Sequence, residues 1–182
     1  MAFTYEQQYL PLVTRYGQAY NVPIALILAH MKQESNFNYL ANRNEPAIND
    51  KSYGLMQVLL GTAKSIEPNV TAAKLYEPET NIRIAVKYIK SNLNRYKNDI
   101  KHSIAAYNAG YVWQNAQGQY TNSKGRTNVN DYVNSVHAYY LQYIKQYGSD
   151  IDKGINTQLV ILTALLGVGA AAYYSLRKYY GY

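Results

Sequence analysis

The chain has 182 residues, with 18 lysines and arginines against 11 aspartates and glutamates, a formal net charge of +7. That length holds one domain with a proper core plus an appendage, and leaves no room for two full domains. With no cysteine, disulfide scaffolds, thiolate metal sites and thiol nucleophiles are excluded, while the positive charge favours an anionic partner, whether wall polymer, lipid surface or nucleic acid, without choosing among them. Twenty-two tyrosines beside one tryptophan and two phenylalanines suit sugar rings and membrane interfaces, since each joins an apolar ring to a hydroxyl; codon bias accounts for them equally well.

The opening residues, MAFTYEQQYLPLVTRYG, lack a basic start followed by an apolar run, so no secretory signal is expected there. Residues 5–20 are expected to form a first helix with Tyr9, Leu12, Val13 and Tyr16 on one face and Gly17 weakening its end. In the next stretch, NVPIALILAHMKQES, Asn21 suits a helix cap and Pro23 a first turn, and Ile24, Ile27, Leu28 and Met31 make one buried stripe. Adding seven to Ile27 and Leu28 lands on Glu34 and Ser35, so the core-facing side ends in a carboxylate. Burial would raise the pKa of that group, as a general acid working near neutral pH requires. The alternative is a helix that frays before Glu34 and leaves it solvated.

Residues 36–52 are rich in Asn, Asp and Pro and read as loop or a short hairpin. Gly54 then suggests a sharp turn into a short helix running to Ile66. Pro78 and Thr80 introduce the clearest helix, with Ile82, Ala85, Val86, Ile89, Leu93 and Tyr96 on the core face and Arg83, Lys87, Lys90 and Arg95 on a solvated one. Residues 100–109 form a further helix with Ile100, Ile104 and Tyr107 on one stripe and Gly110 as its stop. Residues 111–128 read as a polar surface loop, and Asn128 or Asn130 caps a last long helix that buries Val133, Val136, Tyr140, Tyr143, Ile144 and Tyr147. No long strand is expected, so the domain is mainly α.

Residues 148–154 read as a linker. Beyond them, residues 155–176 carry no charge, and 22 residues of helix span roughly 33 Å against a hydrocarbon core of about 30 Å. Arg177 and Lys178 close this segment, with Tyr173, Tyr174, Tyr179 and Tyr180 placed for the headgroup level. It is expected to be a transmembrane helix. A buried terminal helix is the alternative, because Asn156, Thr157, Gln158, Gly167 and Gly169 dilute it.

Four motifs occur in one order: Gln33-Glu34-Ser35; Gly54-Leu55-Met56-Gln57; Ala106-Tyr107-Asn108-Ala109-Gly110; and Tyr132-Val133 followed by Val136. Together they resemble the soluble-type lytic transglycosylases of the lysozyme-like superfamily, over residues 23–136. One departure is that Gln57 is followed by Val58, Leu59 and Leu60 where the family often has a proline. The resemblance implies a goose-type-lysozyme-like helical domain that cleaves the MurNAc-GlcNAc bond of peptidoglycan without water and leaves 1,6-anhydromuramic ends. It implies that Glu34 is the single acid and base and that Tyr107 hydrogen-bonds and positions it. Met56 and Gln57 would line the sugar groove, Ser35 and Asn108 support the site, and Tyr132 complete it. The plainer readings are that Met56 is core, Asn108 a helix-end cap and Tyr132 a packing ring.

Two alternatives remain at this stage. A goose-type lysozyme would activate water with a second carboxylate, for which Glu45 and Asp50 are the nearby candidates. A wall-binding structural protein would keep the fold without turnover. His30, His102 and His137 are isolated, with no partner at metal-ligand spacing, so neither a metal nor any other cofactor is expected. Gly61-Thr62 lacks the rest of a phosphate loop, and the basic run from Arg95 to Lys101 spaces as a solvated face, so nucleic acid is not the expected partner. The organisation expected is a catalytic domain at 1–147, a linker at 148–154, a transmembrane helix at 155–176 and a basic, tyrosine-rich tail at 177–182. The partners expected are glycan strands, a lipid membrane through residues 155–176 and proteins of a phage virion, in which the chain would open the host wall for genome passage. A host secretion or conjugation machine is the rival setting.

Overall fold

A helix with apolar residues at nearly every position has no face to give to water. Every residue from 24 to 31 is buried in α2 (Ile24–Ser35), so the single stripe expected from periodicity becomes a wholly enclosed central helix. The computed structural model describes residues 6–122 and 129–147, and in it α2 packs against α1 (Leu10–Tyr20) and most extensively against α6 (Val129–Tyr147). Asn21 does not start α2. It ends α1 in the left-handed conformation (φ 50°), with its N–H on the carbonyls of Gln18 and Gly17, a role asparagine fills because it tolerates that region. Gly17 lets the two helices close, since a Cβ there would lie 3.0 Å from Ile24 Cγ1 and from the Val22 carbonyl.

α2 is intact to Ser35, and Asn36 ends it at φ 49° with its N–H on the Lys32 carbonyl. Glu34 therefore sits in a formed last turn, and the frayed alternative falls. Residues 36–52 hold a hairpin, β1 (Asn42–Glu45) and β2 (Asp50–Tyr53), with a 3₁₀ turn at Pro46–Ile48 between them. β3 (Val58–Leu59) completes a three-stranded antiparallel sheet in which Tyr53 pairs with both Asn42 and Val58. Gly54 starts a tight turn between β2 and β3, and α3 (Leu60–Ile66) begins only after β3. Asp50 Oδ2 accepts the Gly61 N–H at 2.9 Å and so caps α3.

α4 (Pro78–Arg95) buries Ile82, Ala85, Val86, Ile89 and Leu93 as expected. Its basic face is not wholly solvated: Arg83 and Lys87 converge on Glu67, at 2.8 Å each, which holds that carboxyl down at about 2, Arg83 contributing most. α5 (Ile100–Ala109) has the expected bounds. Asp99 caps it by accepting the His102 N–H, and Gly110 ends it at φ 77°. The loop that follows carries a two-stranded ribbon, β4 (Trp113–Gln114) with β5 (Tyr120–Thr121). Asn130 binds both the N–H and the carbonyl of Tyr120, tying this ribbon to the start of α6. The domain is mainly helical, with the small sheet and the two-stranded ribbon as its β features among the described residues. No helix among them is long and apolar enough to cross a membrane; the linker at 148–154, the expected transmembrane segment 155–176, the tail at 177–182 and the Asn128 cap lie outside the described residues.

One buried side chain holds the turn at 54–57 in place. Asn81 of α4, fully enclosed, accepts the Met56 N–H at 2.9 Å and donates to the carbonyls of Tyr53 and Leu75, both at 2.8 Å. Asn81→Ala leaves these backbone groups without partners in the interior and is expected to destabilise the domain by roughly 2–4 kcal/mol, read as a lower urea midpoint at unchanged slope.

Candidate active site

Two walls enclose a groove of about 650 Å³. One comes from β1, β2, β3 and α3 and presents Arg43, Glu45 and Gln57. The other comes from α4, α5 and the loop after it and presents Tyr107, Asn108 and Tyr111, with Glu34 reaching the groove from the end of α2.

Glu34 is half-buried as a residue, but its carboxyl is enclosed. Burial pushes that group up from an ordinary value of 4.5 to about 7, against the opposing pull of the Tyr132 hydroxyl and the Arg43 charge; the nearby Glu45 adds to the rise. Tyr132, from α6, donates to Glu34 Oε1 at 2.5 Å. Its own pKa is raised well above the usual phenol value by burial and by the Glu34 charge, so it remains a proton donor across the working range. A carboxyl poised near neutrality and held by a charge-assisted hydrogen bond is equipped both to give and to take a proton.

The hydrogen bond to Glu34 expected of Tyr107 comes from Tyr132. Tyr107 donates to the Met56 carbonyl at 2.8 Å and positions the turn, while Tyr132 holds Glu34. Burial and the Glu34 charge raise the Tyr107 phenol well above its usual range too. Met56 does not line the groove with its side chain, which is fully buried in the core; only its backbone serves, through Asn81 and Tyr107. Ser35 donates to the Leu55 carbonyl at 2.7 Å, fastening the end of α2 to the same turn. Gln57 does line the groove, at φ 44°, with its amide braced by the Ser52 hydroxyl at 2.9 Å and the Gly54 carbonyl at 3.0 Å. Asn108 is exposed on the groove wall.

Of the two loop acids, Asp50 is committed to the Lys51 and Gly61 amides. Glu45 lines the groove and pairs with Arg43, Nε to Oε1 at 2.5 Å. His102 lies 3.1 Å from Asp99 at the start of α5, and among the described residues no group of three or more His, Cys, Asp or Glu is placed to hold a metal.

His30, dismissed as isolated on sequence, is part of the site. It is fully buried, with Nδ1 3.0 Å from the Tyr132 hydroxyl and its ring 4.4 Å from that of Tyr107. Burial drives its pKa down to about 3, so the ring is neutral. The available signal was its spacing, four residues before Glu34 and hence one turn along the same helix face.

The sequence pattern of the transglycosylase SLT domain matches residues 11–130. The membrane-bound lytic murein transglycosylase C of Yersinia pestis (strain Pestoides F) and that of Yersinia pseudotuberculosis (strain IP 31758) are each 34% identical over 120 residues, 57% of this chain and 31% of theirs. The chain thus spans about a third of the length of these relatives. An inactive mutant of the lytic transglycosylase Slt from Pseudomonas aeruginosa shares the fold with a TM-score of 0.59 at 21% identity, over 74% of this chain and 24% of that one. The 70 kDa soluble lytic transglycosylase of Escherichia coli does so with a TM-score of 0.50 at 24% identity, over 88% and 25%. With that pattern covering most of the described domain and the fold in agreement, the chain belongs to the transglycosylase SLT domain family.

Proposed function

We propose that the chain cleaves the β-1,4 bond between N-acetylmuramic acid and N-acetylglucosamine in peptidoglycan, with Glu34 as the sole acid and base. The observation that carries this reading is one enclosed carboxyl, raised to about 7 by burial and hydrogen-bonded to Tyr132, lining a groove of about 650 Å³. In its protonated form Glu34 gives its proton to the glycosidic oxygen as the bond to the muramic C1 breaks, freeing the 4-hydroxyl of the departing sugar. As a carboxylate it then takes the proton of the muramic C6 hydroxyl, whose oxygen attacks C1. A 1,6-anhydro ring forms, Glu34 is protonated again and no water is consumed. Hydrolytic glycosidases use two carboxyl groups because one must activate water or attack the sugar; a nucleophile within the substrate removes that need. Gln57 and Asn108 offer amides to the sugars from opposite walls. Exposed Tyr111 and Trp113, with ring centroids 6.2 Å apart, extend the wall outwards with faces suited to pyranose rings.

Glu45 in the same groove favours a second reading, hydrolysis of the goose-lysozyme type, in which it would activate water. Its pairing with Arg43 argues against that, and the products separate the two. The wider setting rests on other observations. The uncharged run 155–176 followed by Arg177 and Lys178, and relatives described as membrane-bound, support a catalytic domain at 1–147 tethered to a lipid bilayer. We place the tether in a lipid-containing phage virion; detection in purified particles supports this, and recovery from cell envelopes alone overturns it.

Five outcomes are expected. The full chain should release muropeptides with anhydro ends by mass spectrometry, and Glu34→Gln should fold but lose turnover by about 10²–10⁴-fold; reducing ends would establish hydrolysis, and cleavage by Glu34→Gln at the wild-type rate would leave Glu34 without its role. Because the acid form starts the reaction, kcat/KM should fall as pH rises above about 7. The same raised pKa makes the folded state bind the proton more tightly than the unfolded chain, so wild-type stability should decline relative to Glu34→Gln between pH 4.5 and about 7 and level off above, as denaturant titrations would show. Tyr111→Ala should raise KM by about 2- to 10-fold, the worth of one aromatic contact, and lower kcat less.

A further inference from the structure

The Tyr132 hydroxyl has one proton and two neighbours. Glu34 Oε1 lies 2.5 Å away and His30 Nδ1 3.0 Å away. As a carboxylate Glu34 only accepts, so in that state the phenol proton belongs to Glu34 and the contact with His30 runs the other way. We propose that His30 is a positioning residue for Glu34, donating from Nδ1–H to the Tyr132 oxygen and thereby committing the phenol proton to the carboxyl group.

Hydrogen-bond accounting selects this arrangement. His30 is enclosed, and its Nε2 has no partner among the described residues. With the proton on Nδ1, what is left bare at Nε2 is a lone pair. The other tautomer would bury an unpaired N–H in either state of Glu34 and, against the carboxylate, would also set two lone pairs against each other across 3.0 Å. A charged ring would lose its hydration in the interior, so burial holds it neutral. The ring is also packed on Tyr107 at 4.4 Å, so it cannot swing to another partner without moving that side chain.

The consequence reaches the reacting atom. Once Nδ1–H occupies the Tyr132 oxygen, the phenol proton points to Glu34 in both protonation states. Protonated Glu34 must then meet Tyr132 with a bare oxygen and carry its acidic proton on the other one, free for the groove. In the carboxylate state the same chain stabilises the charge on Oε1, each bond polarising the next. The groups facing Glu34 are Tyr132 from α6, Tyr107 from α5, and Arg43 and Glu45 from β1; those facing His30 are Tyr132 and Tyr107. Among them His30 is the donor that fixes the direction of the Tyr132 proton.

This inference rests on the glycan-cleaving reading for its kinetic part, and one measurement is independent of it. In the ¹⁵N-histidine-labelled full chain, His30 should be protonated at Nδ1 and bare at Nε2, and should not titrate between pH 5 and 8. A proton on Nε2 overturns the proposal whether or not the chain cleaves peptidoglycan, and whether or not any His30 variant folds. In the kinetic arm, His30→Leu should lower kcat by about tenfold or more with a much smaller change in KM. It should also move the alkaline limb of kcat/KM upwards, because a less firmly bonded carboxylate is a stronger base. His30→Asn keeps an N–H near the place of Nδ1 and should recover most of both effects. In a Tyr132→Phe background His30→Leu should add little further loss. A full additional loss there, or a His30→Leu variant with wild-type kcat and pH profile, would show that His30 does not act through Tyr132. If the wild type leaves glycan strands intact, the functional reading fails while the tautomer still decides the role of His30.

Discussion

The hydrogen bond from Tyr132 to Glu34 joins the two helices on which the domain is built, and its demands explain much of the rest. A carboxyl near neutrality needs an environment dry enough to discourage its charge and one donor strong enough to make that charge accessible. The dryness comes from α2, buried on all sides up to Met31 and ended cleanly at Asn36, so that Glu34 emerges from the core still within a formed turn. The donor comes from the first turns of α6, whose contact with α2 is the most extensive between any two described elements. Pulling α6 away would expose the core and unfasten the acid together.

The opposite wall faces a different problem. Its strands have two to four residues and its turn at 54–57 is irregular, so the sheet ladder alone leaves backbone groups to be satisfied. Side chains from helices do this. Asn81 holds Tyr53, Met56 and Leu75, Tyr107 takes the Met56 carbonyl, Ser35 takes that of Leu55, and Asn130 clasps Tyr120. Tyrosine recurs in this work. Tyr96 bonds both backbone groups of Val112, and at the other end of the molecule Tyr143 and Tyr147 meet Glu6. A residue that fills core volume and ends in a hydrogen-bonding group gives a physical account of part of the tyrosine-rich composition that neither sugar binding nor membrane contact supplies.

The parts of this arrangement legible in the sequence were the local ones. α4 and α5 follow from their apolar spacing, Pro78 and Gly110, and Glu34 follows from extending one stripe by a turn. Asn21 misleads because asparagine serves both ends of a helix, and only the left-handed φ distinguishes them. β3 has two residues, too few for a period of two to register, so Gly54 was taken as the start of a helix instead of a turn between strands. Met56 and Gln57 are neighbours with opposite fates, one in the core and one in the groove, because the turn reverses the chain between them. That Tyr132 and not Tyr107 bonds Glu34 has no local signal: the bond spans 98 positions in sequence. His30 had only its spacing from Glu34 to mark it, and its partner Tyr132 lies 102 positions away.

Gly54 shows how little slack the groove possesses. A single Cβ at this position would come within 2.4 Å of the Leu75 carbonyl and 2.5 Å of Asn81 Nδ2, so the backbone of the turn lies flush against the segment before α4 and against α4 itself. In mechanical terms the floor beneath Gln57 is bolted to α4, one of the two longest described helices. It cannot yield under a glycan without displacing α4, whose inner face is already close-packed. Such a floor acts as a gauge: on the glycan-cleaving reading proposed above, the depth at which a sugar would meet Glu34 is set before the strand arrives, and a chain too bulky for that depth would be turned away by stiffness alone.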